Sequence, residues 1–158
     1  MKIRLAALLA CMALSAPLAA QQFDTISFGV DGGYPPFDVL APSGEITGFD
    51  IDIANALCTQ LKAKCVFVKQ PFESMIAALN AHKFDAIIAS LNITDERKKE
   101  VDFTDRYYRS AAQLVARKGS PLLPDAASLK GKTVGVQTGS THEAFAKANW
   151  ANHGVKIV

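Results

Sequence analysis

Arg97 and the polar residues just before it form the stretch of this chain best suited to binding chemistry. The apolar residues 86–88 are typical of a short buried strand, and Ser90 and Asn92 follow it. Thr94 is a plausible N-cap for a helix, which places Arg97 in the first turn, within reach of the strand end. A guanidinium presents a planar set of N–H donors that can hold a carboxylate through two parallel hydrogen bonds, as a lysine cannot. The spacing therefore predicts a carboxylate site at this strand end.

The alternative for Arg97 is a solvated helix face. It lies in the charged run 95–100, and such runs commonly form weak surface pairs. Residues elsewhere in the chain must decide between the two interpretations.

A second loop with suitable groups follows the strand predicted at 26–30. Asp31 stands at the end of this strand, and Tyr34 lies on the Gly-Gly and Pro-Pro loop behind it. Ligands of parallel sheets bind beyond the carboxyl ends of the strands, so both side chains suit a binding crevice. The alternative is that Asp31 supports the glycine turn and Tyr34 packs on the prolines.

A third loop, 137–141, separates a strand predicted at 132–136 from a helix predicted at 142–150. Free N–H groups at the start of a helix point at negative groups, so this arrangement predicts an anion site. The Gly-Lys-Ser/Thr of a P-loop is missing. The alternative is N-capping by Ser140 or Thr141 alone.

These loops need a sheet and helices to position them. Apolar residues recur at helical spacing over 51–61, with Asp50 as a possible cap, and a second amphipathic helix is predicted from Phe72 to near 83. A hairpin turn is predicted at 42–45. The order strand, helix, strand, helix, strand predicts parallel pairing through right-handed crossovers and hence an α/β fold.

Composition suggests boundaries within the chain. We expect a first lobe over 21–110, a hinge region over 111–117 with an extended strand at 111–116, and a second lobe from 118 to 158. The chain ends at Val158 just as another strand begins. One βα unit and a lone strand cannot cover both faces of a sheet, so we expect the second lobe to be incomplete and the chain to be truncated.

The first 20 residues have the features of a secretory signal. Lys2 and Arg4 precede an apolar run from Leu5 to Leu14, and cleavage is expected near Ala20. This predicts a periplasmic mature protein. A lipoprotein signal, with Cys11 as the lipidated residue, is the alternative.

Charge and cysteine content indicate which partners and cofactors the chain is not expected to bind. The chain carries 17 basic and 15 acidic residues, and the signal removes two basic ones, so the mature part is neutral and nucleic acid is not expected as a partner. Cys58 and Cys65 remain as an even pair in an oxidising compartment, which predicts a disulfide. No nearby His or Cys completes a zinc set, so neither a metal nor a cofactor is predicted.

Several motifs taken together resemble one family. In chain order they are DGGYPPF at 31–37, GFDIDIANALC at 48–58, the cysteine at 65, FDAIIASLNITDERKKEVDFT at 84–104 and LKGKTVGVQTGST at 129–141. The pattern resembles the periplasmic solute-binding proteins of polar amino-acid ABC importers, especially the lysine/arginine/ornithine-, histidine- and arginine-binding members. This resemblance implies a monomer with two parallel-sheet lobes that close on an L-amino acid and present it to a membrane permease.

The resemblance also implies a role for each matching residue. Arg97 would hold the ligand's α-carboxylate, helped by Ser140 and Thr141. The cysteine pair matches the disulfide of the basic-amino-acid members. The other implied ligand-binding positions are Asp31, Tyr34, Phe72, Ala89, Ser90, Asn92, Gln137 and His142.

For the ligand side chain, the resemblance implies an aromatic slot between Tyr34 and Phe72, with Asp31 facing a cationic end. Ala89 and Asn92 stand where serines are common, and His142 where glutamine often stands, which leaves the order of ligand preference open. Asp31 also occurs in glutamine-binding relatives. The acid that takes the ligand's ammonium in this family would lie beyond the last residue.

Two other function classes remain open. A dehydratase on the same scaffold would use Asp31 or His142 as a general base, but no nucleophile and base pair is evident, so no catalytic residue is predicted. A sensor module would need transmembrane and signalling segments, and the sequence shows none.

Overall fold

The computed structural model describes residues 23–158. The predicted secretory signal at 1–20 and the lipoprotein alternative at Cys11 therefore lie outside the described residues. Within 23–158, no helix is long and apolar enough to span a membrane.

Eight strands and four α-helices are described, with three 3₁₀ turns between them. In order they are β1 Thr25–Val30, β2 Gly33–Tyr34, β3 Asp38–Leu40, β4 Ile46–Thr47, α1 Phe49–Leu61, β5 Lys64–Lys69, 3₁₀ turn Phe72–Ser74, α2 Met75–Asn80, β6 Ala86–Ile87, 3₁₀ turn Arg97–Lys99, α3 Ala126–Leu129, β7 Thr133–Val134, α4 Thr141–Asn149, 3₁₀ turn Ala151–His153 and β8 Lys156–Ile157. We call residues 23–99 the N-terminal unit and residues 126–158 the C-terminal unit.

A parallel sheet in the order β5-β1-β6 lies at the centre of the N-terminal unit. Phe28 and Val30 of β1 are buried because this central strand is covered by helices on both faces. Helix α1 packs in one cluster with these two residues, and α2 in another with Phe84 and Ala89. The predicted α/β class is confirmed, and β1 and β6 both run toward the predicted site.

Helix α1 begins at a glycine, not at an acidic cap. Gly48 is the N-cap with φ +130°, and a Cβ there would lie 2.3 Å from the Phe37 carbonyl oxygen, so only glycine fits. The prediction that Asp50 caps this helix is therefore wrong, because Asp50 lies inside the first turn, where its charge suits the helix dipole. The predicted disulfide joins Cys58 near the helix end to Cys65 in β5.

Two helix predictions were too long. The segment from Phe72 starts as a 3₁₀ turn and continues as α2, which ends at Asn80. After Thr94 only the 3₁₀ turn at 97–99 forms, although the Thr94 hydroxyl accepts the Arg97 N–H at 3.2 Å. The charged residues 95–100 are almost all exposed, so they offer no apolar face that tertiary packing could stabilise.

The loop after β1 is more regular than its glycines and prolines suggested. Gly33–Tyr34 pairs with β3, and β3 pairs with β4, in a small antiparallel sheet. The turn predicted at 42–45 is confirmed by a hydrogen bond from the Ala41 N–H to the Glu45 carbonyl.

The C-terminal unit is built around its own small core. Parallel strands β7 and β8 pack with helix α4 around Leu129, Ala146, Trp150 and Val155. The extended strand predicted at 111–116 does not form: these residues pair with no described strand, and Val115 is 87% exposed. A strand needs hydrogen-bonded neighbours, and none of the strand pairings among the described residues includes this segment.

Candidate functional site

Arg97 lies between the two units. Its Nη1 donates to the Asn92 carbonyl oxygen at 2.7 Å, and its Nη2 donates to the Gly139 carbonyl oxygen at 2.9 Å. Its Cζ lies 5.7 Å from the centroid of the Phe72 ring, within cation–π range. The guanidinium is therefore held by a strand end, a glycine loop and an aromatic face.

This arrangement can hold a carboxylate. A guanidinium has five N–H donors, and two of them are used by the Asn92 and Gly139 carbonyls, which leaves three. Burial lowers the pKa of Arg97 below its ordinary value, yet arginine keeps its charge in proteins. A half-buried cation with spare donors attracts an anion more strongly than a solvated one.

The glycine loop before α4 is stabilised by reciprocal capping. The Ser140 hydroxyl accepts the Glu143 N–H at 3.1 Å, and Glu143 Oε2 accepts the Gly139 N–H at 2.7 Å. Lys147 donates to the same carboxylate at 2.7 Å, and this contact is the main reason why the pKa of Glu143 is lowered. The Ser-x-x-Glu spacing at 140–143 is a sequence signal for such capping that our prediction did not use.

This capping changes what the loop can offer an anion. The buried Ser140 hydroxyl already accepts a hydrogen bond inside its own helix. The Glu143 N–H is taken by this hydroxyl, whereas the N–H groups of Thr141 and His142 have no intrahelical acceptor and remain the groups suited to an anion. The capping alternative and the anion interpretation are compatible at this helix start.

Ser90 has an unusual backbone conformation beside a buried carboxylate. Its φ is +51°, and its hydroxyl donates to Asp50 Oδ2 at 2.8 Å. The Tyr107 hydroxyl donates to Asp50 Oδ1 at 3.0 Å, and Asp50 itself is fully buried. Burial, with the nearby Asp50 charge, raises the pKa of Tyr107, so this phenol stays protonated as a donor.

A second buried carboxylate, Asp38, organises the loop after β1. It accepts the Tyr34 N–H at 3.0 Å and the Asp31 N–H at 3.3 Å, and it is 1% exposed. Desolvation outweighs these hydrogen bonds and raises the pKa of Asp38. Asp38 thus fixes the backbone that presents the two predicted site residues.

Asp31 itself faces the C-terminal unit. Its Oδ2 lies 3.4 Å from Gln137 Nε2, a second contact between the two units. Gln137 and Gly139 belong to one loop, so this loop meets the N-terminal unit at both Asp31 and Arg97.

The aromatic residues form a larger group than the sequence suggested. Tyr34 stacks on Phe37 with centroids 5.1 Å apart, and Phe37 stacks on Tyr108 at 4.9 Å. The stack continues through edge contacts to Phe49. Tyr34 therefore has aromatic neighbours of its own, while Phe72 lies against the arginine.

Of the eleven predicted ligand-binding residues, the structure joins five through side-chain hydrogen bonds or the cation–π contact. Ala89 is 4% exposed and packs in the α2 core cluster, so only its backbone can face a ligand. The His142 side chain is exposed on the first turn of α4. The contacting groups are those of Asp31, Phe72, Asn92, Arg97 and Gln137.

The sequence analysis did not identify the buried residues that support the predicted site residues. Asp38 and Asp50 are acidic residues within apolar surroundings, a signal of burial that could have indicated them. The aromatic contacts of Phe37 and the hydrogen bond from Tyr107 to Asp50 could not be predicted from a local pattern. Phe37 contacts Tyr108, and Tyr107 contacts Asp50, across more than 50 positions of the chain. Within 23–158, no three His, Cys, Asp or Glu side chains group closely enough to hold a metal ion.

The fold is that of part of a two-lobe α/β binding protein, and comparison with known proteins places the chain in a family. Residues 26–153 match the family described as bacterial extracellular solute-binding proteins, family 3, and the chain belongs to this family. The resemblance inferred from the motifs is confirmed.

Relatives and solved structures agree with this assignment. The chain is 43% identical to the L-arginine-binding protein of Pseudomonas aeruginosa over 157 residues, 99% of this chain and 60% of that protein. It is 45% identical to the lysine/arginine/ornithine-binding periplasmic protein of Escherichia coli, over 85% of this chain and 52% of that protein. An ancestral arginine-binding protein bound to arginine superposes with a TM-score of 0.82 at 39% identity, over 87% of this chain and 61% of that one. The chain thus spans between half and two thirds of the length of these proteins.

Proposed function

We propose that this chain binds a basic L-amino acid in the periplasm, arginine first among them, for delivery to the permease of an ABC importer. The observation that carries the proposal is the position of Arg97, half-buried between the two units with three N–H donors to spare. The relatives are named for the binding of arginine, lysine and ornithine, which supports the same ligand class.

The proposed binding mode assigns one group of the ligand to each part of the cleft. Arg97 holds the α-carboxylate, together with the backbone at the start of α4. Ser90 and Asn92 provide polar contacts at the strand end, and Ser90 does so as an acceptor because its only hydroxyl hydrogen goes to Asp50.

For the ligand side chain we propose the space between the Tyr34 and Phe72 rings, with Asp31 at its cationic end. Gln137 lies beside Asp31, so the loop of the C-terminal unit closes that end of the cleft. We further propose that residues 111–117 form the hinge, since they connect the units without a helix or strand of their own.

Calorimetric titration tests the proposal. We expect tight binding of at least one of arginine, lysine, ornithine and histidine, and weaker binding of glutamine. Flat traces with all five amino acids would contradict the proposal. Conversion of a cyclic carboxylic acid during incubation would favour a dehydratase instead, and product analysis by mass spectrometry would detect it.

A further inference from the structure

We propose that Asp50 is a positioning residue for the amino-acid site: its buried carboxylate holds Ser90 in the conformation that presents the strand end to the ligand. This inference rests on the proposed function, since it assigns a support to the same site. It adds a residue that itself touches no ligand.

The first observation is the environment of the carboxylate. Asp50 is 0% exposed, and neither ion pair among the described residues includes it. A buried carboxylate is unfavourable unless hydrogen bonds compensate its lost hydration. Here two hydroxyls donate to it, one to each oxygen, and the first turn of α1 adds a favourable dipole.

The second observation is the backbone of Ser90. A φ of +51° is unfavourable for a residue with a Cβ, and such conformations persist only where the surroundings impose them. The bond from Ser90 to Asp50 is charge-assisted and therefore stronger than one between neutral groups. Asp50 is thus placed to impose this conformation.

The conformation of Ser90 matters because the chain runs directly from it to the arginine. Two residues later, the Asn92 carbonyl accepts the Arg97 Nη1 at 2.7 Å. Asp50, Ser90, Asn92 and Arg97 therefore form a continuous series from the core of the N-terminal unit to the carboxylate site. Loss of the hydrogen bond between Ser90 and Asp50 should therefore weaken the hydrogen bond between Arg97 and Asn92.

Tyr107 ties a further segment to the same carboxylate. Its ring lies 6.2 Å from that of Phe49, the residue before Asp50, and its hydroxyl reaches Asp50 Oδ1. Tyr107 lies within the irregular segment that connects the two units. Asp50 therefore holds the strand end and a part of this connection in one arrangement.

The test compares Asp50→Asn with a matched control, Asp85→Asn. The Asn side chain is similar in shape, but it lacks the charge and one acceptor. Asp85 also accepts a serine hydroxyl, that of Ser27, but it lies just before β6, at the opposite end of this strand from Ser90. We expect Asp50→Asn to weaken arginine binding roughly tenfold to a hundredfold and Asp85→Asn to change it by less than about twofold.

Amide hydrogen exchange without ligand gives a readout of positioning itself. We expect faster exchange at residues 90–92 in Asp50→Asn than in the parent, with no change there in Asp85→Asn. Should Asp50→Asn fail to fold, Tyr107→Phe removes one of the two donors and keeps the ring. For that variant we expect an affinity loss of roughly threefold to tenfold, since one neutral donor is lost.

The outcomes separate the two proposals. If the parent binds none of the amino acids, the proposed function fails and this inference fails with it. If the parent binds arginine and Asp50→Asn binds it equally well, the positioning role is wrong while the proposed function stands. Equal losses in Asp50→Asn and Asp85→Asn would also overturn it, because the effect would then be one of general stability.

Discussion

Arg97 Nη2 donates to the Gly139 carbonyl oxygen at 2.9 Å, across 42 positions of the chain. This hydrogen bond joins the strand end of the N-terminal unit to the glycine loop of the C-terminal unit. One cationic side chain therefore belongs both to the proposed ligand site and to the contact between the units, so the proposed function predicts that ligand binding changes this contact.

Replacement of Arg97 by lysine should weaken arginine binding by about 2–5 kcal/mol, because the ammonium cannot hold the carboxylate bidentately or keep both carbonyl contacts. The fold should remain, since the side chain is only half-buried. Calorimetry gives the affinity, and thermal unfolding checks the fold. Arg106→Lys, on an exposed arginine, is the matched control and should bind as the parent does. Unchanged affinity in Arg97→Lys would remove this residue from the site.

Gly139 gives a second prediction about the same contact. Its φ is +75°, and a Cβ would lie 3.1 Å from the Glu73 Cα, in the backbone of the other unit. Gly131 has a similar φ of +73° but nothing within 4 Å of an added Cβ. We expect both alanine variants to lose about 1–2 kcal/mol of stability from the left-handed backbone.

Only Gly139→Ala should in addition push the units apart. We expect it to lose about tenfold in affinity for arginine, corresponding to ~1.4 kcal/mol, while Gly131→Ala binds normally. Calorimetry and thermal unfolding of the two variants distinguish these effects. Equal affinities would show that the close approach of Gly139 to Glu73 has no part in binding.

The strand ends that carry the site residues, and the disulfide, could be predicted from the sequence alone because short local patterns determine them. Strand ends followed by Asp31, Ser90 and Gln137 are visible as apolar runs that give way to polar residues. The parallel pairing of β1 and β6 then places Asp31 and Ser90 at one edge of the sheet, whereas Gln137 follows β7 in a separate sheet. Cys58 and Cys65 are close in sequence and joined by a helix end and a strand start, so their pairing was predictable.

What the sequence could not show depends on contacts between distant residues. Asp50 meets Ser90 and Tyr107 only after α1, β6 and the following loop have packed, and no local pattern records those partners. The short 3₁₀ turn at 97–99 is another example, because capping by Thr94 suggested a helix that no apolar face supports.

Two carboxylates should affect stability with opposite dependence on pH. Ser27 donates its hydroxyl and N–H to Asp85 and lowers its pKa below the ordinary value of 3.8. The stability that Asp85 contributes is therefore present above pH 3.8 and lost as the pH falls through the lowered pKa. Burial raises the pKa of Asp38, so its contribution is present below pH 3.8 and lost as the pH rises through the raised pKa.

Urea unfolding of Asp85→Asn and Asp38→Asn at several pH values checks these signs. Relative to the parent, the free energy lost in Asp85→Asn should grow as the pH rises, and that lost in Asp38→Asn should shrink. Each variant serves as the control for the other. Parallel curves for the two variants would show that at least one of the pKa directions is wrong.

Asp31 provides the prediction that concerns ligand class. Its carboxylate has moderate exposure and accepts a hydrogen bond from Gln137 Nε2 at 3.4 Å, a long contact that leaves the charge available for a cationic ligand group. Asp31→Asn should therefore weaken arginine and lysine binding by about 1.5–3 kcal/mol, the range for a hydrogen bond to a charged group.

Glutamine distinguishes a specific charge contact from a general loss of binding. Its side chain is neutral, so we expect its affinity to change by less than about 0.5 kcal/mol in Asp31→Asn, within the range of an ordinary surface change. Asp52→Asn, an exposed carboxylate on α1, is the matched control and should leave all three affinities unaltered. If Asp31→Asn weakened glutamine and arginine equally, Asp31 would support the loop rather than select a cationic side chain, and the proposed preference for basic amino acids would lose its basis in this residue.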